Sequence, residues 1–298
     1  MCKFLVFDSE FGLDKVEEDL WCYPQVVGGI NRGSVNGTMK LLAWNCRGVG
    51  LDSTIRCLKD HIQIKKPQFI FLCETKADAN KSSNLLKSFV NFNYFVVASR
   101  GLAGGLWCMW EADLDIQYIS CIYGSPQPLT RRNQWQLLES FLPPNDAPWL
   151  CIGDFNDVAC IDEKRGGPPV PASQIKHFTE AIQNCMLMDV GFIGSPYTWC
   201  NNQQGLRRVF KRLDRAMCNA QWRTLFPNAQ LHHVLTVDSD HKLLMLDCVP
   251  MLKKLKRPFR FEAMWLSDPT CKEVVHSVVQ PTVNGSPSYI LCRKLARC

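Results

Sequence analysis

Residues 149–157 read WLCIGDFND. Trp149, Leu150, Cys151 and Ile152 form an unbroken apolar run, the pattern of a strand covered on both faces. The run then breaks into Gly153, Asp154, Phe155, Asn156 and Asp157. Side chains at i and i+2 leave an extended backbone on the same side, so Asp154 and Asn156 are placed to face one cleft. Gly, Asp and Asn are also ordinary turn residues, and taken alone the stretch reads equally well as a plain turn. The rest of the chain decides between the two.

The same break recurs. LLAWNC ends near Asn45, FIFLCETK near Glu74 and ISCIYGSP near Tyr123; SPYTW supplies Thr198. KRLDRAMC embeds Asp214 between Arg212 and Arg215, and VLTVDSDHKLLMLDC interrupts an apolar run with Asp238, Ser239, Asp240 and His241. Each alone has a bland reading: a solvated turn carboxylate, a core Tyr with a wet tip, a Ser-Asp-His turn. Together they form one chemical kit.

Strand-like segments cover 41–46, 68–74, 94–99, 106–110, 116–124, 149–154, 197–201, 209–218 and 232–237, and helical periodicity covers 52–65, 81–90, 131–142, 173–187 and 219–226. This mixture predicts an α/β fold of two packed sheets flanked by helices. Residues 1–38 mix acid with a Gly/Asn/Ser stretch and read as a loosely ordered arm. Residues 39–250 are long enough to bury a substantial core. Residues 251–298 open with the basic, aromatic KKLKRPFRFEAMWL and read as linker and tail.

The 298 residues are 46% hydrophobic and 21% charged, with a formal net charge of +6. That permits a polyanionic partner without requiring one. No apolar run reaches the about 20 residues of a membrane span. FLVF, residues 4–7, is too short for a signal-peptide core and is followed by Asp8 and Glu10. The 16 Cys are scattered through apolar runs, with no CxxC pair and no zinc spacing, as expected of buried thiols in a reducing compartment. The expectation is an intracellular protein, nuclear or cytoplasmic, with no membrane association and no obligate protein partner.

GLAGGLW lacks the Lys and Ser/Thr of a P-loop, and Ser239 lies in no nucleophile elbow. What remains is a set of hard oxygen ligands, a candidate base, a Tyr, a His and flanking Arg and Lys. That set suits hydrolysis of a phosphate ester with a hard divalent cation such as Mg²⁺, with Mn²⁺ as the alternative.

Asn45 in WNCRG, Glu74 in LCETK, Tyr123 in IYGSP, Asp154 and Asn156 in GDFN, Thr198 in YTW, Asp214 in RLDR and the SDH of 239–241 occur in an order and spacing that resembles the endonuclease/exonuclease/phosphatase superfamily. Over residues 40–267 the wording is most similar to the endonuclease region of plant LINE-type non-LTR retrotransposons. The resemblance implies a DNase I-like four-layer α/β sandwich, and a Mg²⁺-dependent endonuclease that nicks one strand of DNA. It makes Glu74 the principal metal carboxylate, with Asn45 beside it and Asp240 at the metal and phosphate end. It makes Asp154 the residue that activates or orients the water, Asn156 the one that positions the water and the phosphate, Tyr123 a donor to the phosphate or a support for the leaving group, and His241 a charged donor to the phosphoryl oxygen, oriented by Asp214. Thr198 and Ser239 would support these groups through hydrogen bonds. Arg207, Arg208, Lys211 and Arg212, on a strand-like ribbon beside Asp214, would lie against the DNA backbone. Two positions depart from the pattern: the apurinic endonucleases carry an acid where Arg47 stands, and Ser125 and Pro126 follow Tyr123 where many relatives have Asn. A full element would continue into a reverse transcriptase, for which residues 268–298 leave no room, so the expectation is a truncated copy. The alternatives are an abasic-site nuclease or inositol-phosphate phosphatase of the same superfamily, or a catalytically silent nucleic-acid-binding relic.

Overall fold

The structure is a computed structural model. It describes residues 39–250, apart from positions 100, 102, 113, 115–117, 145, 146 and 237, together with residues 3–7, 269–279 and 290. The chain divides into two compact units, Met1–Pro250 and Met251–Cys298.

In the first unit the elements begin with β1 (Lys3–Phe7), β2 (Lys40–Asn45), α1 (Asp52–Lys65), β3 (Phe69–Cys73), α2 (Ala79–Leu86), β4 (Asn93–Val97) and β5 (Leu106–Trp110). Then follow β6 (Tyr118–Tyr123), α3 (Pro128–Glu139), β7 (Trp149–Asp154), β8 (Lys164–Arg165), α4 (Ala172–Asn184), β9 (Met188–Asp189) and β10 (Trp199–Cys200). The unit closes with β11 (Phe210–Lys211), β12 (Asp214–Cys218), α5 (Ala220–Leu225), β13 (Gln230–Val234) and β14 (Leu243–Asp247). The second unit contains α6 (Pro269–Val279), inside the segment read as linker and tail. None of the described helices is long and apolar enough to cross a membrane.

Among the described residues the strands form one sheet ordered β1-β6-β7-β12-β9, a second ordered β13-β14-β2-β3-β5-β4, and a small sheet β10-β11-β8. The apolar runs sort by alternation. In β2 and β3, Leu41, Ala43, Phe69 and Phe71 enter a core shared with Ile119, Cys121, Leu150 and Ile152 of β6 and β7. The intervening Leu42, Trp44, Ile70 and Leu72 pack outward with Leu58 of α1 and Leu86 of α2. On the other sheet Ile122, Trp149 and Cys151 pack outward with Trp135 of α3 and Phe178 of α4. Helices, sheet, sheet and helices make a four-layer α/β sandwich.

Strands buried on both faces leave little place for polar side chains, because an unpartnered polar group costs more there than an apolar one gains. Ser120, within β6, is tolerated because it accepts from Trp149 Nε1 at 2.9 Å. The other polar groups collect at strand ends, and the topology gathers the ends. β2 runs parallel to β3 and β6 parallel to β7, whereas β12 and β14 run antiparallel to β7 and β2. The C-terminal ends of β2, β3, β6 and β7 therefore meet the N-terminal ends of β12 and β14.

Three segments differ from the sequence expectation. The run 209–218 is two strands, because Arg212 turns into an ion-pair cluster and the Leu213 amide bonds Thr198 Oγ1 instead of continuing the ladder. LLMLD, 243–247, forms β14 where only an apolar run was read. KFLVF, inside the stretch read as a loose arm, pairs in parallel with β6 as β1; the rest of that stretch, and the basic 252–266, lie outside the described residues. The Cys within the described residues are free thiols, most of them buried.

Gly153 has φ +140°, and a Cβ there would sit 2.2 Å from the Ile122 carbonyl oxygen. Gly191, φ +80°, has open space around it. Gly153→Ala should therefore lower the unfolding free energy in urea by at least about 3 kcal/mol, against about 1 kcal/mol for Gly191→Ala. Equal losses would mean that β6 and β7 are not held this close.

Candidate active site

Asn45 ends β2 and is 1% exposed. Its Nδ2 donates to Glu74 Oε1 at 3.1 Å and to Asp154 Oδ2 at 2.9 Å, tying the two sheets together. Glu74 follows β3 with φ +52° and Asn156 follows β7 with φ +52°, both in the left-handed region that non-glycine residues rarely occupy. Such backbone strain persists only where surrounding contacts enforce it, and it clusters at functional sites. Gly105 is part of that enforcement, since the Lys76 and Thr75 amides bond the carbonyls of Gly104 and Gly105 and a Cβ on Gly105 would meet Thr75 Oγ1 at 2.4 Å.

Glu74 is the most heavily partnered of these groups. Beside Asn45, it accepts from Tyr123 Oη at 3.0 Å and from Arg47 Nη1 at 3.1 Å, with Lys76 Nζ at 3.6 Å. Burial alone would raise its pKa, but the bonds from Asn45 and the charge of Arg47 outweigh it and hold it below the ordinary value. Tyr123, buried beside that carboxylate, has its own pKa pushed far up and stays a neutral donor.

Asp154 and Asn156 do face each other, though not through strand alternation. Asp154 is the last residue of β7, and the left-handed turn at Asn156 folds the chain back: Asn156 N donates to Asp154 Oδ1 at 2.8 Å, and its Nδ2 donates to the Gly124 carbonyl at 2.8 Å. GDFN is a turn, and that turn sets Asn156 against Asp154. Burial and the neighbouring charge of Asp214 push the Asp154 pKa up to about 6.

Asp214 opens β12 directly opposite Asp154. Its Oδ2 lies 2.9 Å from His241 Nδ1, and Asp154 Oδ2 is 3.8 Å from the same nitrogen. Burial would lower the His241 pKa, but the charges of Asp214 and Asp154 overcome it and raise it to about 9. Thr198 Oγ1 accepts from the amides of Leu213 and Asp214 at 2.9 Å each, which seats Asp214. Ser239 Oγ donates to the Asn45 carbonyl at 2.8 Å and accepts from His241 N at 3.0 Å, which seats His241. Asp240 stands apart from the His pair: it accepts from Trp199 Nε1 at 2.9 Å and meets Arg47 Nε at 3.0 Å.

The basic ribbon divides. Arg207 and Arg208 are exposed, and Lys211 is half-buried with its ammonium over the Trp199 ring. Arg212, expected on the DNA side, is instead buried, bonded to Glu163 at 3.0 Å and Asp189 at 2.8 Å, with Arg215 joining Glu163 at 2.7 Å. Sequence reading also passed over a buried support behind the GDFN turn: Asp157 accepts from Arg131, Trp135 and Gln174, and Arg131 also reaches the Ser125 carbonyl. Only the acid within FND hinted at it.

Two clusters have donor sets that can hold a cation. Asp154, Asp214 and His241 bring one ligand atom each within 4.8 Å of the others. His241 already supplies positive charge between those carboxylates, and an imidazolium cannot ligate. Glu74 and Asp240 offer hard oxygens nearer the surface, with the buried Asn45 behind Glu74, and Glu74 is held ionised by its neighbours. That chemistry fits a hard divalent cation.

The endonuclease/exonuclease/phosphatase family model matches residues 42–241. The chain belongs to this family. The solved 3'-5' exonuclease NExo from Neisseria meningitidis superposes with a TM-score of 0.57 at 15% identity, covering 70% of this chain and 98% of that one. An AP endonuclease from Archaeoglobus fulgidus gives 0.55 at 12% identity, covering 70% and 98%. The endonuclease domain of TRAS1, a telomere-specific non-LTR retrotransposon, gives 0.51 at 16% identity, covering 72% and 100%. These likenesses fix a shared, DNase I-like fold. No curated protein matches the chain.

The Asp214–His241 pair generates a pH prediction. A folded-state pKa raised above the ordinary 6.5 means stability that is complete below pH 6.5 and lost as pH rises through about 9. Asp214→Asn should lower the His241 titration midpoint, followed by NMR, and should shift this group's loss of stability to correspondingly lower pH. An unmoved midpoint would mean that the pair does not set the charge of His241.

Proposed function

We propose that the chain is a Mg²⁺-dependent DNA endonuclease that nicks one strand, of the non-LTR retrotransposon type. One observation supports the reading: Asn45, Glu74, Tyr123, Asp154, Asn156, Asp214 and His241, from the ends of strands in both sheets, meet in one hydrogen-bonded cluster in which Asp154 and Asp214 both approach the His241 ring. Glu74, Asn45 and Asp240 would hold the cation, which when bound neutralises charge on the phosphate and on the leaving oxygen.

The residues divide the remaining work. With its pKa near 6, Asp154 is ionised at neutral pH yet basic enough to take a proton from water, and Asn156 holds it in place. His241 spends Nδ1–H on Asp214. Its Nε2 faces Asn45 Nδ2 at 3.5 Å, a nitrogen without a lone pair to offer, so the Nε2–H is left for a phosphoryl oxygen. Tyr123 donates to Glu74, so its part is to hold the metal carboxylate rather than to reach the leaving group. Lys211 pairs with Trp199, which itself bridges to His241, so the small sheet adjoins the site, and Lys211 with the exposed Arg207 and Arg208 would contact DNA phosphates.

Supercoiled plasmid should be relaxed by a single nick when Mg²⁺ is present and left intact with chelator. Glu74→Ala and Asp154→Asn should each slow nicking by roughly a thousandfold or more, because cation and base act as a unit. An abasic duplex as second substrate separates a repair nuclease, which would cleave it far faster than plasmid. Near-native nicking by both variants would sink the assignment.

A further inference from the structure

Arg47 stands two residues after Asn45 in the left-handed region, φ +54°, which turns its side chain back over the site. One guanidinium there spans two carboxylates from different strand ends. Nη1 lies 3.1 Å from Glu74 Oε2 and 3.3 Å from Oε1, and Nε lies 3.0 Å from Asp240 Oδ1. The Arg47 side chain is 45% exposed, whereas those of Glu74 and Asp240 are 11% and 14% exposed, so Arg47 covers both acids on the solvent side. Two ionised carboxylates taken out of water need a positive partner.

We propose that Arg47 is the built-in counter-cation of the metal site, and that a divalent cation binding Glu74 and Asp240 must displace its guanidinium. The inference rests on the reading that these two acids hold the cation. A salt bridge that served only to fasten the loop would have no such competition: its loss would loosen the loop and weaken or leave unchanged any cation affinity. A competing guanidinium predicts the opposite sign, a tighter cation when the arginine is removed. The charge at position 47 is the determining property, so lysine should retain most of the competition.

The test is a Mn²⁺ titration followed by EPR of the free aquo ion, at low ionic strength, on the full chain and its Arg47→Gln and Arg47→Lys variants. Circular dichroism checks that each is folded. Arg47→Gln should bind Mn²⁺ at least about tenfold more tightly than the parent, since even the screening of bulk water leaves that much of the repulsion between a unit charge and a divalent ion a few ångströms apart. Arg47→Lys should stay within about threefold of the parent on the same electrostatic scale. Adding Glu74→Gln to Arg47→Gln should erase the gain. Equal or weaker binding by folded Arg47→Gln overturns the role of Arg47 while leaving the metal reading standing. Absence of Mn²⁺ binding by the parent and both variants, or a gain that survives Glu74→Gln, overturns the metal reading and this inference together.

Discussion

A carboxylate at the end of a strand buried on both faces must collect donors or be protonated, and the site is organised by how Glu74 meets that demand. Its partners come from β2 through Asn45, from β6 through Tyr123 and from the turns around it through Arg47 and Lys76. Each of these contacts favours the ionised form. Buried charge that is compensated by the protein rather than by water is strongly coupled to any further cation, because the local dielectric is low. The same principle separates the two acid groups of the site. Asp154 and Asp214 are compensated from within by the ring of His241, whereas Glu74 and Asp240 are compensated from the solvent side by the partly exposed Arg47, with Lys76 beside Glu74.

A second set of buried charges braces the elements that carry these groups. Arg131 with Asp157 fixes the turn after β7, and Arg212 and Arg215 with Glu163 and Asp189 fix the approach to β12. Removing one partner of such a pair leaves an uncompensated charge, which costs about 3–5 kcal/mol. These arginines therefore act on the site through its geometry. Phe155, Trp135 and Phe178, with ring centroids 5.1 to 5.8 Å apart, pack beneath the same turn and carry its apolar load.

Much of this was legible in the sequence because one physical rule links composition to position. Runs such as WLCI and FIFLC have no polar residue to spare, so the polar residues that end them mark where the strands open, and parallel pairing brings those openings together. The Asp214–His241 bond, between residues 27 apart, is what the family resemblance implies. The side chain of Arg212 was not legible, since the acids that bury it, Glu163 and Asp189, lie far from it in sequence and carry no pattern of their own. Asn156 was placed correctly by a wrong step: strand alternation was assumed where a left-handed turn acts. The bond from Tyr123 to Glu74 was not legible either, because a strand pattern does not state which carboxylate a phenol meets. β1 was missed because a lone five-residue run beside acidic sequence gives no sign that β6 offers it an open edge.

On the proposed reading positive charge is drawn to the Glu74 end of the site, and the Asp154–Asp214–His241 end is closed to it by its own imidazolium. Crystals soaked in Mn²⁺, with diffraction recorded at the manganese edge, locate the ion directly. The account predicts an anomalous peak against Glu74 and Asp240, with the Arg47 guanidinium moved aside and the Asp214–His241 bond intact. A peak between Asp154 and Asp214, with His241 as its ligand, would contradict it.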